Sequence, residues 1–270
     1  MKATISKESI TKALSLTGGI VEKKQTLPIL SNILIEFKDN SFKLVATDLE
    51  SELTIIGETD ACETEGTTTA SAKKLNDLCR LIPDKSNIEL NLSGDKLNIS
   101  TKNGKYSLAT LPSNEFPIFE SGDSLNSITL RSQDLKTLIN STSFAMGNQD
   151  WRHYLNGLFL KLEEGVLTAV ATDAHRLALN CLDSVSDINF SGIIPRKSVN
   201  EINRFIGDDN SELSLAINDT SLVLSNDNLT FKSKLIDGAF PDYNQVIPTG
   251  DSSLLDVNVK DFVSSLGLSL

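Results

Sequence analysis

The residues of this chain that most resemble part of a catalytic site are Asp173 and His175, which lie two positions apart. With one of the many serines as nucleophile, they would suggest hydrolysis by a serine, histidine and aspartate triad. That chemistry normally places the serine on a sharp turn within a Gly-x-Ser-x-Gly motif, which the sequence lacks. The surrounding pattern predicts a strand with both side chains on one face. We therefore interpret the pair as a structural hydrogen bond and predict that the protein is not an enzyme.

Metal and cofactor chemistry find little support in the residue types available. His153 and His175 are the only histidines, and Cys62, Cys79 and Cys181 lie far apart with no paired spacing. This pattern argues against a zinc site and a disulfide framework, and it is typical of a reducing cytoplasm. No P-loop or Gly-x-Gly-x-x-Gly motif occurs. We predict no metal and no cofactor.

The composition places the chain among globular proteins that lie outside the membrane. Of its 270 residues, 39% are apolar and 23% are charged, which is ordinary for a globular fold. No apolar run reaches the length that spans a bilayer, and the first ten residues are too polar for a secretory signal. We predict a cytoplasmic location.

Positive charge is concentrated in four segments with helical periodicity. The net charge of −11 argues by itself against nucleic acid. Segments 6–18, 72–82, 131–144 and 196–206, however, carry ten basic and four acidic side chains, which leaves −17 for the remainder. A solvated outer face is one explanation. The other is that all four helices face one anionic partner, such as the backbone of duplex DNA, since aromatic residues are too few for a single-strand stacking surface.

An internal repeat organises the chain. The tetrapeptide Val-Ala-Thr-Asp at residues 45–48 recurs at 170–173, an offset of 125. A pattern of lysine, acidic residue, arginine and interleaved apolar residues at 73–82 recurs at 197–206, and Phe-Pro at 116–117 recurs at 240–241, both at an offset of 124. Chance agreement of apolar positions would not keep so many matches in phase. We predict two tandem domains, 1–125 and 126–250, and the start of a third at 251–270.

Each repeat divides again into two units of one strand, one helix and three strands. In the first unit, a strand near Ala3 leads to a helix with apolar positions Ile10, Ala13, Leu14 and Thr17. The same order recurs three times. The sequence therefore predicts an α+β fold, in which a duplicated β-α-β-β-β unit builds each domain, with helices on one face and antiparallel sheets on the other.

The last residues resemble the entry to a third copy. Residues 257–263 match the strand-to-helix entry at 4–10, and the chain ends within the predicted helix. An apolar helix without a partner is a poor terminus. We expect roughly one further repeat to be missing.

Several motifs together resemble one known family. They are Thr-Leu-Pro-Ile-Leu-x-Asn at 26–32, the paired Ala-Thr-Asp strands at 46–48 and 171–173, Tyr-Leu-Asn-Gly at 154–157, Ala-Thr-Asp-Ala-His-Arg-Leu-Ala at 171–178, Pro-Arg-Lys at 195–197, and Ser-Lys-Leu-x-Asp-Gly-x-Phe-Pro-Asp-Tyr at 233–243. Each motif alone is weak, but in register across two repeats they resemble the beta sliding clamp of bacterial replicative DNA polymerase over residues 1–270.

The resemblance implies a DNA replication processivity factor without a catalytic site. Clamps of this family have three similar domains, and two subunits join head to tail as a homodimer ring around double-stranded DNA. Helices line the hole and sheets form the outside, so cationic helices would slide over phosphates while an acidic surface repels other contacts. The implied partners are the DNA polymerase catalytic subunit, the clamp loader, and other clamp-binding replication and repair proteins.

The resemblance also implies three groups of site residues. The DNA-facing residues would be Lys24, Lys73, Gln149, Arg152, Tyr154 and Lys197. A hydrophobic pocket for short extended partner peptides would be formed by Leu155, Thr172, His175, Arg176, Leu177, Pro241 and Val246. The dimer interface would include Tyr106 and Leu108.

Two substitutions and the chain length depart from the family pattern. Ala174 stands where the family usually has glycine, and its methyl group would narrow the pocket slightly. Gln245 stands where some relatives have arginine. Without a third domain, Tyr106 and Leu108 would be left as an exposed apolar edge. We therefore expect the 270-residue chain not to form a normal closed ring, so that it would not be retained on circular DNA.

Two other functions stay open at this point. A tandem-repeat scaffold that binds proteins without encircling DNA would keep peptide binding and lose loading onto primed DNA. A hydrolase would lose its activity on His175→Ala.

Overall fold

The computed structural model describes residues 1–21, 27–119, 127–183, 186–207, 210–248, 250 and 255–267. The chain divides into a large unit, Met1–Ala239, and a small unit, Phe240–Leu270. The predicted limits of the domains, which fall at other positions, stay a prediction.

The helices begin where the sequence offers a cap and a run of apolar positions. The Ser6 hydroxyl accepts a hydrogen bond from the Ser9 amide at the first helix, and the Ser71 hydroxyl accepts one from Lys74 at the second. Within the described residues the α-helices are α1 (Lys7–Thr17), α2 (Ala72–Leu81), α3 (Ser132–Thr142), α4 (Arg196–Phe205) and α5 (Val259–Gly267).

Most strands alternate between buried and more exposed positions along much of their length. In the first half of the large unit the strands are β1 (Lys2–Ser6), β2 (Asn32–Lys38), β3 (Ser41–Thr47), β4 (Ser51–Glu58), β5 (Ala61–Thr64), β6 (Gly66–Ser71), β7 (Asn87–Ser93), β8 (Lys96–Thr101) and β9 (Gly104–Ala109). In the second half they are β10 (Ser127–Arg131), β11 (Gly157–Glu163), β12 (Val166–Thr172), β13 (Leu177–Asp183), β14 (Phe190–Pro195), β15 (Glu212–Ile217), β16 (Ser221–Ser225) and β17 (Leu229–Lys234).

The predicted β-α-β-β-β unit occurs four times, and β5 is an addition to the first copy that the sequence pattern did not indicate. The units exchange their first strands. β1 pairs with β7 of the second unit, and β6 pairs with β2 of the first unit. The second repeat has the same exchange, because β10 pairs with β15 and β14 pairs with β11. The exchange ties two units into one repeat.

The two repeats are joined by an antiparallel pair of β4 and β17. This pair completes an eight-stranded sheet with the order β10-β15-β16-β17-β4-β3-β2-β6. A five-stranded sheet, β5-β1-β7-β8-β9, and a four-stranded sheet, β13-β12-β11-β14, flank it.

The core lies between the helices and the sheets. On α1 the buried residues are Ile10, Ala13, Leu14 and Thr17, as the periodicity predicts. Helix α1 packs against α2, and α3 packs against α4. The guanidinium of Arg204 at the end of α4 donates to the carbonyl oxygens of Ser15 and Leu16 at the end of α1. The four helices therefore form one row in the order α2-α1-α4-α3.

Two sequence-based predictions are wrong in detail. Asp173 and His175 lie in the turn between β12 and β13, not in a strand. Leu108 is only 9% exposed and belongs to the core, so it does not contribute to an exposed apolar edge. The alternation of β9 turns Leu108 towards the core while Tyr106 stays exposed.

The small unit contains a short 3-10 turn, Tyr243–Val246, and α5. The helix predicted for the third copy is present, but residues 255–258 before it form no strand, and Leu254 lies outside the described residues. The side chains of α5 are exposed. In the part of the chain that the structure describes, no helix is long and apolar enough to cross a bilayer.

Candidate functional site

The turn between β12 and β13 is built by one aspartate. The Asp173 carboxylate accepts hydrogen bonds from the backbone amides of His175 and Arg176, both at 2.9 Å. The Thr172 hydroxyl accepts from the Ala174 amide at 3.1 Å and donates to the Arg176 carbonyl at 2.7 Å. Ala174 has a φ of +73°, in the left-handed region that favours glycine. The turn is therefore closed by side-chain bonds around a strained residue.

The same turn occurs 125 residues earlier. The Asp48 carboxylate accepts from the amides of Glu50 and Ser51, and the Thr47 hydroxyl accepts from the Leu49 amide. Leu49 has a φ of +74°. The repeat thus preserves the hydrogen bonds and the backbone strain of the turn together.

Both oxygens of Asp173 are engaged by the turn and by Arg176. One of its oxygens receives the two turn amides, and the other receives the Arg176 Nε at 3.0 Å. Hydrogen bonds from the Arg176 and His175 amides lower the pKa of Asp173 below its usual value. The carboxylate bonds to the backbone of His175 rather than to its imidazole. The predicted structural hydrogen bond between the two residues is therefore present, but it closes a turn instead of orienting a strand.

An arginine and an aromatic ring lie beside this turn. The guanidinium carbon of Arg176 lies 5.8 Å from the centroid of the Phe144 ring, and Phe144 is 57% exposed. Leu155 is buried and Leu177 is half-buried. The large unit therefore places a cation and an aromatic ring side by side at the turn. Pro241 and Val246, also predicted for the pocket, are exposed residues of the small unit.

Residues 147–156 form a hydrogen-bonded loop before β11. The Asn156 side chain accepts from the Asp150 amide at 2.9 Å and donates to the Asp150 carbonyl at 2.8 Å. The Gly147 amide donates to the Leu155 carbonyl at 2.8 Å. Arg196, the first residue of α4, donates to the carbonyls of Met146 and Gly147. The loop is therefore fixed to the start of the helix that carries Lys197.

The loop holds Arg152 through a two-point ion pair. The Arg152 Nε and Nη2 atoms lie 3.0 and 2.8 Å from the two Asp150 oxygens. Hydrogen bonds from the Arg152 side chain and amide lower the pKa of Asp150 to about 2, and the nearby charge of His175 adds to this effect. Because His175 affects Asp150, the loop and the turn of His175 are neighbours. Of the other predicted residues of the loop, Gln149 is exposed and Tyr154 is half-buried.

Cations on the two halves of the helix row differ in their partners. On α3 and α4 they are engaged: Arg131 pairs with Asp134, Lys136 donates to the Ile206 carbonyl, and Arg204 pairs with Glu201. On α1 and α2, Lys12, Lys73, Lys74 and Arg80 are exposed and have no ion pair within the described residues. The available positive charge is thus greatest on the first repeat.

Lys197 connects the two repeats. Its Nζ lies 2.6 Å from an oxygen of Asp48, whose side chain is only 5% exposed. Burial raises the pKa of Asp48, but hydrogen bonds from Lys197 and Ser51 outweigh it and the pKa is lowered. The Lys197 side chain is 38% exposed, so part of it stays accessible to solvent while it bonds to Asp48.

The remaining predicted residues lie apart from these groups. Lys24 lies outside the described residues. Tyr106 is 38% exposed on β9, which within the described chain pairs only with β8.

Sequence reasoning missed Phe144, Asp150 and Trp151. Phe144 follows α3 in a 3-10 turn, where helical periodicity no longer indicates which way a side chain points. Trp151 is 82% exposed, and only an unusual aromatic residue between two predicted DNA-facing positions, Gln149 and Arg152, signals it in the sequence. Asp150 was hidden because the ion pair depends on the loop conformation.

Comparison with known proteins assigns both repeats to the same kind of protein. The family model "DNA polymerase III beta subunit, N-terminal domain" matches residues 1–120, and the model "DNA polymerase III beta subunit, central domain" matches residues 129–242. The fold, the repeat and the site thus define a non-catalytic accessory protein of DNA replication. Proteins of this class bind DNA but catalyse no reaction on it.

Relatives of similar sequence agree. The beta sliding clamp of Pseudomonas aeruginosa is 39% identical over 259 residues, which is 94% of this chain and 70% of that protein. The beta sliding clamp of Escherichia coli K12 is 35% identical over 257 residues, 95% of this chain and 70% of that protein. The chain therefore belongs to the beta sliding clamp family.

Solved structures support the same assignment. The DNA polymerase III beta subunit of Pseudomonas aeruginosa superposes with a TM-score of 0.89 at 37% identity, over 93% of this chain and 69% of that one. The Caulobacter crescentus protein superposes with a TM-score of 0.92 at 33% identity, over 99% and 74%. The protein is thus a processivity clamp of DNA replication, it is not an enzyme, and its partners are DNA and clamp-binding proteins.

Proposed function

We propose that the helix row α2-α1-α4-α3 is the surface over which duplex DNA slides. The observation that carries this proposal is the bond from Arg204 to the end of α1, which continues the row across the two repeats. A continuous helix face with scattered, exposed cations suits contact with phosphates without base readout.

Within this row the DNA-facing residues are Lys73 on α2, Lys197 on α4, and Gln149, Arg152 and Tyr154 on the fixed loop. Lys73 supplies free charge. Arg152 and Lys197 are held by Asp150 and Asp48, which offset part of their charge. Weak and numerous contacts favour sliding, because tight phosphate contacts would hold the clamp in one place. Lys24 completes this set by resemblance to the family.

We assign partner binding to the turn of residues 172–177. The half-buried Leu177 offers apolar contact, while His175 and Arg176 offer polar contact at the rim. Leu155, which is buried, is assigned to the pocket by resemblance to the family. Leucine and phenylalanine side chains of a short extended peptide suit such a groove. The assignment of Pro241 and Val246 to the pocket remains an expectation from the resemblance to the family. The DNA polymerase catalytic subunit, the clamp loader, and replication and repair proteins would compete for it.

The edge strand β9, with Tyr106 exposed on it and Leu108 beneath, is the proposed dimer interface. A strand with unpaired backbone groups is suited to pairing with another subunit.

The protein would act in the cytoplasm, which agrees with its free cysteines Cys62, Cys79 and Cys181.

Amide chemical-shift mapping on the isotope-labelled 270-residue chain tests both surfaces in one sample. Blunt duplex DNA should shift the amides of Lys73, Gln149, Arg152 and Lys197. A peptide with leucine and phenylalanine anchors should instead shift the amides of residues 172–177. Duplex-induced shifts confined to β7, β8 and β9 would overturn the DNA surface, and peptide-induced shifts that avoid the turn would overturn the pocket.

A further inference from the structure

Trp151 is the only tryptophan of the chain and is 82% exposed. Tryptophan is enriched at interfaces, because its large ring is apolar and its indole N–H is a hydrogen-bond donor. Hydrogen bonds hold its loop in one conformation. The Asn156 side chain bonds to the backbone amide and carbonyl of Asp150, and Arg196 bonds to the backbone at the start of the loop. The indole is therefore presented by a fixed backbone.

We propose that Trp151 stacks on unpaired DNA bases and gives the clamp a preference for junctions between single strand and duplex. The proposal rests on the proposed function, in which the loop of Gln149, Arg152 and Tyr154 faces DNA. The stacking site adds unpaired bases as a ligand, which the phosphate-binding helices do not recognise.

The geometry around the indole favours stacking on a base. The guanidinium carbon of Arg152 lies 5.7 Å from the centroid of the ring, on one face. Arg152 is itself held by the two oxygens of Asp150. One face of the indole thus has a positioned cation beside it, and its high exposure leaves the rest open to a ligand.

The low net charge of the loop argues against phosphate as the ligand of Trp151. Asp150 offsets the charge of Arg152, so this stretch adds little net attraction for the DNA backbone. In continuous duplex the π-faces of the bases are covered by their neighbours, and wedging an indole between them costs energy and would oppose sliding. Unpaired bases offer their faces without that cost. The sparse aromatic content excludes an extended stacking platform but not one stacking residue.

The fluorescence of Trp151 provides a direct assay, because no other tryptophan contributes. The 270-residue chain is titrated at low salt with blunt duplex, with the same duplex carrying a single-stranded overhang, and with single-stranded DNA. The overhang and the single strand should quench the indole strongly, and blunt duplex should quench it weakly. Equal quenching by blunt duplex and by the overhang DNA would overturn the proposal.

Labelled DNA then measures affinity for the variants. Trp151→Ala should weaken binding to the overhang DNA by about fivefold or more, with blunt-duplex affinity unchanged, and Trp151→Phe should retain part of the preference. Phe144→Ala is the matched control, since Phe144 is also exposed but lies beside Arg176; it should leave the preference intact. An unchanged preference in Trp151→Ala would overturn the proposal.

The failure of this inference is distinguishable from that of the proposed function. If substitutions at Lys73, Lys74 and Arg80 weaken binding to all three DNAs but Trp151→Ala changes none, the helix surface stands and the stacking site falls. If the wild-type chain binds no DNA at low salt, the proposed DNA surface and the stacking site both fall. Loss of preference in Phe144→Ala as well would also count against a site specific to Trp151.

Discussion

At the scale of single residues, Ala174 holds a backbone conformation that disfavours its own side chain. Its φ of +73° brings the methyl group close to the following carbonyl, at a cost of about 1–2 kcal/mol. Asp173 and Thr172 offset this cost by taking the amides of the turn. The sequence concealed the turn because it offers no glycine or proline there, so apolar alternation extended the predicted strand through Asp173 and His175.

We predict that Ala174→Gly stabilises the protein by about 0.5–1 kcal/mol. Glycine relieves the strain in the folded turn, and this gain exceeds the additional freedom that glycine has in the unfolded chain. The free energy of unfolding is measured by urea denaturation.

The matched control is Ala61→Gly. Ala61 is an exposed residue of β5 and is absent from the residues with positive φ. The same chemical change should there destabilise the protein by about 0.5–1 kcal/mol. A loss of stability in Ala174→Gly of the same size as in the control would show that the turn is not strained.

At the scale of elements, acidic residues at alternate positions, in the turn before β4 and at its start, form ion pairs with the second repeat. Asp48, Glu50 and Glu52 pair with Lys197, Lys234 and Lys232. Helix periodicity predicted the four helices and the buried face of α1 because that signal is local. The exchange of β1 and β6 and the β4–β17 pair join residues far apart in sequence, and no local pattern specifies such partners.

The pair of Asp48 and Lys197 should make the junction sensitive to acid. The pKa of Asp48 is lowered in the folded protein, while in the unfolded chain it is near 3.8. The pair therefore stabilises the fold fully above about pH 4, and this contribution is lost as the pH falls through the lower folded pKa. Asp48→Asn should cost about 1–2 kcal/mol at pH 7, less than a fully buried pair because Lys197 is partly exposed.

Urea denaturation of wild type and Asp48→Asn between pH 2.5 and 7 measures this difference. The gap between the two proteins should be constant above pH 5 and should shrink below pH 4. Asp219→Asn, at an exposed position, is the control and should follow the wild type throughout. A gap that stays the same down to pH 2.5 would rule out the ion pair as its cause.

At the scale of the whole molecule, an acidic protein carries a row of four helices that each have net positive charge. The sequence predicted net positive charge on all four helices, and their order in the row follows from the contacts of Arg204. The sequence did not predict that the cations of α3 and α4 are largely engaged while those of α1 and α2, apart from Lys7, which pairs with Asp84, are not, because ion pairs depend on side-chain geometry. Free phosphate-binding charge is therefore expected mainly on the first repeat.

The dependence of duplex DNA affinity on salt tests this account most directly. Replacing Lys73, Lys74 and Arg80 of α2 with alanine should weaken binding and reduce the slope of log affinity against log salt by about 0.9 for each phosphate that the variant no longer neutralises. Replacing Lys96, Lys102 and Lys105 of the β8–β9 hairpin removes the same charge from exposed positions of a sheet. The account predicts a reduced slope in the helix variant and a nearly unchanged slope in the hairpin variant. Equal slopes in the two variants would contradict the helix row as the DNA surface.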